Sequence, residues 1–241
     1  MTLLNQTSHR PYPLPDRLWL MTQTWEQILL AHWEVPIEWI REKVPAALEV
    51  DLFDGKAWIS IVPYMMGHLR LRGLPPIPFT SRFPGLNVRT YVVHQGKPGV
   101  YFLSLDAANR LVAALARTFL YLPYYYAQIS IVQKEGEINY SSRRVRRHGS
   151  NAGFQVRCRP ISPVFNAQKG TLDYWLTERY CFYTTNKNSV YRCDIHHLPW
   201  PLMRAEADFI QNSMMDCTDS DPILHYAEKL NVFLWPYVKP D

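Results

Sequence analysis

Over much of this chain apolar and polar positions alternate with a period of two, the pattern of strands that bury one face. Alternating or β-rich segments predict strands at 86–93 ("LNVRTYVV"), 100–105 ("VYFLSL"), 126–132, 137–145, 154–160, 176–185 and 189–196. The apolar segment 24–33 ("TWEQILLAHW") reads as a further strand, and "AEADFI" and "NVFLWPYV" close the chain. Asp54-Gly55 supplies the positive φ of a tight turn, so 48–64 is expected to be a hairpin. Helical spacing appears at 35–45, where Ile37, Ile40 and Val44 share a face and Pro45 ends the run. It appears again from Asp106, where Asp106, Arg110, Ala113 and Arg117 lie near one stripe. Leu111, Val112, Leu115 and Phe119 cover much of the rest, so this helix is expected to be mostly buried and to stop before Pro123. The Pro-rich stretch 72–85 predicts a loop long enough to form a rim or lid.

Many short strands with two or three helices point to an α+β, mainly β fold, a closed antiparallel barrel. A chain of 241 residues suits one such domain. Prolines at 11, 13 and 15 make 1–16 an extended N-terminal arm, leaving 17–241 as a single β-barrel domain. The aromatic content, 8 Trp, 15 Tyr and 10 Phe, favours sheet over a helical bundle.

The net charge of +5 would steer anions, but no nucleic-acid motif accompanies it. The densest run, "RRVRR" at 143–147, reads as a solvated strand before the Gly149 turn. No apolar run reaches the ~18 residues of a membrane span, and the start "MTLLNQTSHRPYPLPDRLW" has no basic segment followed by an apolar one. The expectation is a cytoplasmic protein whose four cysteines are reduced and mostly buried. The cysteines have no zinc-like spacing, and neighbours His196 and His197 on a strand would face opposite ways, so neither a metal nor a cofactor is expected. Nucleophile elbow and Gly-rich phosphate loop are both missing.

Two places carry candidate chemistry. On 86–93, Asn87, Arg89 and Tyr91 point one way and Leu86, Val88, Thr90 and Val92 the other. If the first face is outside, Arg89 is a surface arginine; if inside, it needs a partner or a ligand anion. In the run Tyr124-Tyr125-Tyr126, alternation sends Tyr124 and Tyr126 to one side and Tyr125 to the other. Buried, these are either core aromatics or pocket walls.

The motifs "HWEVPIEWIREKVPAALEVDLFDGKAWISIVPYMM", "LNVRTYVVHQGKPGVYFLSLDAANRLVAALARTFLYLPYYYAQIS", "LTERYCFYTT" and "IHHLPWPL" occur in this order. Together they resemble the YqjF-like family of bacterial proteins over about residues 17–238. That family is in turn similar to the acetoacetate-decarboxylase-like fold, which implies a cone-shaped closed barrel with an internal cavity and the possibility of a homo-oligomer. In the decarboxylases a helix leads to Pro-Lys-Lys, whose first lysine forms a Schiff base. Here Pro123 matches the proline, Tyr124 falls on that lysine and Tyr125 on its neighbour. Arg117 is kept from an Arg-Glu pair in the helix, while Thr118 replaces the glutamate, and no carboxylate stands near Asn87 and Arg89. Tyrosine has no amine, so imine chemistry is not expected.

The expected function is therefore a small-molecule-binding barrel with an aromatic and arginine pocket for a carboxylate or other small anion. Arg89, Tyr124, Tyr125, Asn87, Tyr91, Trp58 and Arg117 are its candidate residues, with Tyr64 adding apolar surface. His32 and Asp106 rank lower, the latter because it would cap the helix. The alternative is an enzyme on the same barrel, a lyase or hydrolase of a keto acid, enol or lactone, with tyrosine as acid or base beside Arg89. A third reading is an interaction surface on the basic strand Glu137–His148.

Overall fold

The structure, a computed structural model, describes residues 3–75, 82–145, 152–187, 189–216 and 220–240. Its strands are β1 (Met21–Val35), β2 (Glu49–Val50), β3 (Ala57–Leu71), β4 (Phe83–His94), β5 (Lys97–Ala107), β6 (Tyr124–Lys134), β7 (Glu137–Arg144), β8 (Gly153–Pro160), β9 (Cys181–Asn186), β10 (Ser189–His196), β11 (Met203–Asn212) and β12 (Ile223–Leu234). The helices are α1 (Ile37–Arg41), α2 (Arg110–Phe119) and α3 (Leu172–Thr177).

Nine strands close into a ring in the order β1, β3, β4, β5, β6, β7, β8, β11, β12 and back to β1. The β9–β10 hairpin bridges this ring, pairing with β5 on one side and β12 on the other. The pairings β5–β6 and β5–β9 are parallel, so the expected antiparallel barrel is a mixed one. A parallel neighbour needs a long crossover, and α2 supplies it between β5 and β6.

Two cores form, one on each face of β1, β3 and β4. On β3, Trp58, Val62, Tyr64 and Met66 join the first core, while Ala57, Ile59 and Ile61 join the second. Strands buried on both faces read as near-continuous apolar runs, which accounts for "ILLAHW" and "AWISIVPYMM". The Asp54-Gly55 turn forms as expected, with φ of 49° and 76°, but it closes only the bridge between Phe53 and Lys56, and the expected hairpin over 48–64 is replaced by β2 pairing with β4.

Further element expectations change. Asn109, not Asp106, caps α2: its side chain accepts from Val112 N at 3.1 Å, and Asp106 remains in β5. Nor is α2 mostly buried. Ala113 and Ala116 face the core, while Leu111 and Leu115 are exposed. The stretch 176–185, read as one strand, is the end of α3 followed by a turn and β9, because the Thr171 side chain caps a helix too short to show a period. In the Pro-rich stretch 72–85, residues 83–85 begin β4, and 76–81 lie outside the described residues.

The N-terminal arm runs along β10. Arg10 donates to Ile195 O at 2.8 Å, Arg17 pairs with Asp194 at 3.0 Å, and the Trp235 indole donates to Arg17 O at 2.8 Å. Among the described residues no helix is long and apolar enough to cross a membrane.

Candidate functional site

The inward face of β4 sets the site. Alternation sends Asn87 and Arg89 into the first core, opposite Val62 and Ser60 of β3. Between them and the β9–β10 bridge lies a cavity of about 120 Å³. Its walls are mainly apolar, formed among others by Ile28, Val62, Val100, Phe102, Leu105 and Phe182. Among the described residues two charged side chains line it, Arg89 and Arg179.

Arg89 is 7% exposed, and its Nε and Nη2 have no hydrogen-bond partner. These are the two nitrogens along one edge of the guanidinium, the edge that grips a carboxylate with parallel bonds. Among the described residues Arg89 forms no ion pair. Arg179 is 5% exposed and tethered on two sides: Nη1 donates to Asp51 Oδ2 at 2.5 Å and Nε to Trp175 O at 2.7 Å. Its Nη2 also lacks a partner. Burial lowers the pKa of Arg179, against the opposing pull of Asp51.

Below the arginines a polar floor is fully buried. His32 Nδ1 and Ser60 Oγ lie 2.7 Å apart, and Ser60 Oγ lies 2.6 Å from the Tyr91 hydroxyl. Burial first, then His225 and Arg89, hold His32 well below the usual imidazole range, so it is neutral. His225 meets Asp173 at 3.0 Å, and that hydrogen bond leads the causes that bring the Asp173 carboxyl down to about 2.

Tyr124 enters the cavity because β6 pairs with β5 in register, Leu105 beside Tyr124. Its ring surface gives onto the cavity, and burial pushes its phenol up to about 12. It is therefore a neutral donor, not a phenolate. Tyr64 also lines the cavity. It lies across Gly85, where a Cβ would come within 3.1 Å of the Tyr64 ring.

The seven candidates thus separate. Asn87, Arg89 and Tyr124 share the cavity wall. Tyr91 is buried one step deeper and supports the arginine cluster: its ring is 4.6 Å from Trp175 and 5.0 Å below the Arg179 guanidinium. Trp58, opposite the Tyr91 end of β4, packs in the same core without lining the cavity. Tyr125 turns away, its ring 4.3 Å beneath Arg144, which pairs with Asp106 at 2.7 Å. Arg144 comes from the run read as a solvated strand, yet it is buried. Arg117 is exposed beside a separate open groove with Lys43, Tyr121 and Pro123. Arg179, Trp200 and His197 line the cavity without having been expected there. The signal for Arg179 was a charge between apolar "WLT" and "YCFY", masked by the single-strand reading of 176–185.

A cavity inside a mixed barrel of this connectivity defines an acetoacetate-decarboxylase-like fold. An acetoacetate decarboxylase-like enzyme from Sphingomonas wittichii RW1 matches with a TM-score of 0.63 at 11% identity, over 97% of this chain and 98% of that one. An acetoacetate decarboxylase gives 0.62 at 10% identity over 99% and 98%. The enduracididine biosynthesis enzyme MppR in complex with pyruvate gives 0.62 at 10% over 95% and 93%. The chain itself belongs to the DUF2071 family, described as an uncharacterized conserved protein, which matches residues 22–231. It is 48% identical over 231 residues to the uncharacterized protein YqjF of Bacillus subtilis (strain 168), covering 94% of this chain and 95% of that one.

Proposed function

We propose that this protein binds a small anion in the first-core cavity, with Arg89 as the anchor. The observation that carries the reading is the free edge of Arg89: a guanidinium 7% exposed, with two nitrogens unpartnered and no acid paired to it. Burying a cation without a counter-charge is costly, and an anionic ligand removes that cost. The complex of MppR with pyruvate, a small carboxylate held by a protein of the same fold, supports the same reading.

Imine chemistry has no support in the cavity, because no lysine is among its described lining residues. The alternative, an enzyme using tyrosine, narrows to one role. A phenol near 12 holds its proton at neutral pH, so Tyr124 fits a hydrogen-bond donor or general acid and not a base.

Arg89→Met tests the anchor. It keeps an apolar stem and removes the charge, so the melting temperature without ligand should rise, reflecting about 1–2 kcal/mol. The stabilisation that wild type gains from a bound small anion should vanish. An Arg89→Met protein that melts lower and still gains the full anion-induced shift removes Arg89 from the site.

A further inference from the structure

We infer that the ligand is a monocarboxylic acid with a compact, uncharged apolar body, bound with its carboxylate at the buried end of the cavity. This inference rests on the anion-binding reading above and narrows it to one chemical class.

Four observations carry it. The first is the shape of the free donor set. Arg89 offers Nε and Nη2 together, a planar two-pronged edge that matches the two oxygens of a carboxylate. Arg179 adds one more free donor, Nη2.

The second is the charge count. The cavity lining contributes two guanidinium charges, Arg89 and Arg179, and Asp51 pairs with the second at 2.5 Å. The remaining charge is one positive, on Arg89. A ligand carrying one negative charge neutralises it, whereas a dicarboxylate or phosphate dianion would bring an excess charge into a low-dielectric site.

The third is the wall. Beyond the arginines the surface is supplied by residues such as Ile28, Val62, Leu105, Leu122, Phe182 and Leu234. A sugar, polyol or nucleotide would leave hydroxyls unsatisfied there. The few uncharged polar groups left for a ligand are the Tyr124 hydroxyl on the wall and the Asn87 Oδ1 and Trp200 Nε1, the last two buried and unpartnered, so a single hydroxyl or carbonyl on the body can be accommodated. A volume of about 120 Å³ is somewhat below the ~150 Å³ that receives a benzene ring, so the cavity itself holds about six heavy atoms, and any longer body reaches toward solvent.

The fourth is orientation. The lining residues that reach solvent include Leu20, at 37% exposure, with Met21, Leu120 and Tyr237 part-buried. Tyr237 donates to Leu120 O at 3.0 Å, drawing the chain end and the α2 end together at this mouth. The arginines are the buried end. The carboxylate therefore enters first, and the apolar body lies toward the leucines of the mouth.

The test uses the purified full chain with hexanoate and benzoate, their amides hexanamide and benzamide, succinate, and inorganic phosphate. Calorimetric titration is run on wild type, Arg89→Lys and Arg89→Met, with melting curves to check that each variant is folded. Both acids should bind wild type at least tenfold tighter than their amides, succinate or phosphate. Arg89→Lys keeps the charge and loses the planar edge, so it should lose at least tenfold for both acids, and Arg89→Met more. If succinate or phosphate binds tightest and Arg89→Met abolishes it, the ligand class is wrong while the anion site stands. Equal binding of the acids by wild type and Arg89→Lys overturns the carboxylate grip. If the amides match the acids in wild type, or no probe binds, both this inference and the anion reading fall.

Discussion

Tyr124 shows how a single residue can look alike in two roles. As a plain core aromatic its hydroxyl would be bonded within the protein, and Tyr124→Phe would cost about 0.5–1.5 kcal/mol. In this structure its ring opens onto the cavity and its burial keeps the phenol protonated. We expect Tyr124→Phe to change the unfolding free energy by less than about 0.5 kcal/mol and to weaken anion binding severalfold. Urea unfolding with a parallel titration of hexanoate measures both. A large loss of stability with unchanged affinity returns Tyr124 to the core. Its neighbour Tyr125 takes the other fate for the reason alternation gives, packing beneath Arg144.

At the scale of elements, the ion pair between Asp106 of β5 and Arg144 of β7 reaches across the parallel β5–β6 pairing. Arg144 also donates to Ser104 at 2.5 Å, so its guanidinium is fixed from two residues of β5. Both partners are buried, and removing one leaves the other charge without its counter-ion. Asp106→Ala should therefore cost about 3–5 kcal/mol, whereas Asp106→Leu combined with Arg144→Met should recover most of that loss. Chemical denaturation of the single and double variants decides it. A single variant within about 0.5 kcal/mol of wild type would mean that solvent reaches the pair. This contact also explains why α2 starts late: Asp106 is held in the strand, and the cap passes to Asn109.

For the whole molecule, acid is the condition that acts on the interior. His197 lines the cavity, is 1% exposed, and burial lowers its pKa to about 4; His32 is also depressed by burial. A neutral buried imidazole binds its proton more readily in the unfolded chain, where its pKa is ~6.5. Stability is thus complete above about pH 6.5 and falls as the pH drops toward 4, by on the order of 2–3 kcal/mol for His197. Melting temperatures should be flat from pH 8 to 7 and decline below pH 6, and His197→Gln should make that decline shallower. A wild-type profile flat down to pH 4 would contradict the buried neutral state.

The alternation on 86–93, the Asp54-Gly55 turn, the apolar runs of β1 and β3 and the tyrosine order were all written in local sequence. A period of two and a positive-φ turn are properties of neighbouring residues, and they led to a mainly β barrel with Asn87, Arg89 and Tyr91 on one face. Sequence could not say which side of β4 was the cavity, because both faces of that strand are apolar or mixed and both are buried. The closure of the nine-strand ring, with the β9–β10 hairpin across it, decided that. The same closure brought Arg179 from the α3–β9 link to face Arg89, gave Asp51 to Arg179, and left Arg89 without an acid. It sent Arg144 from a basic run into an ion pair with Asp106, and it put Arg117 outside the cavity. Periodicity records the environment of a strand's two faces, but the counter-charge of a buried arginine comes from residues far away in the chain, and only tertiary packing determines which charge is paired and which remains for a ligand.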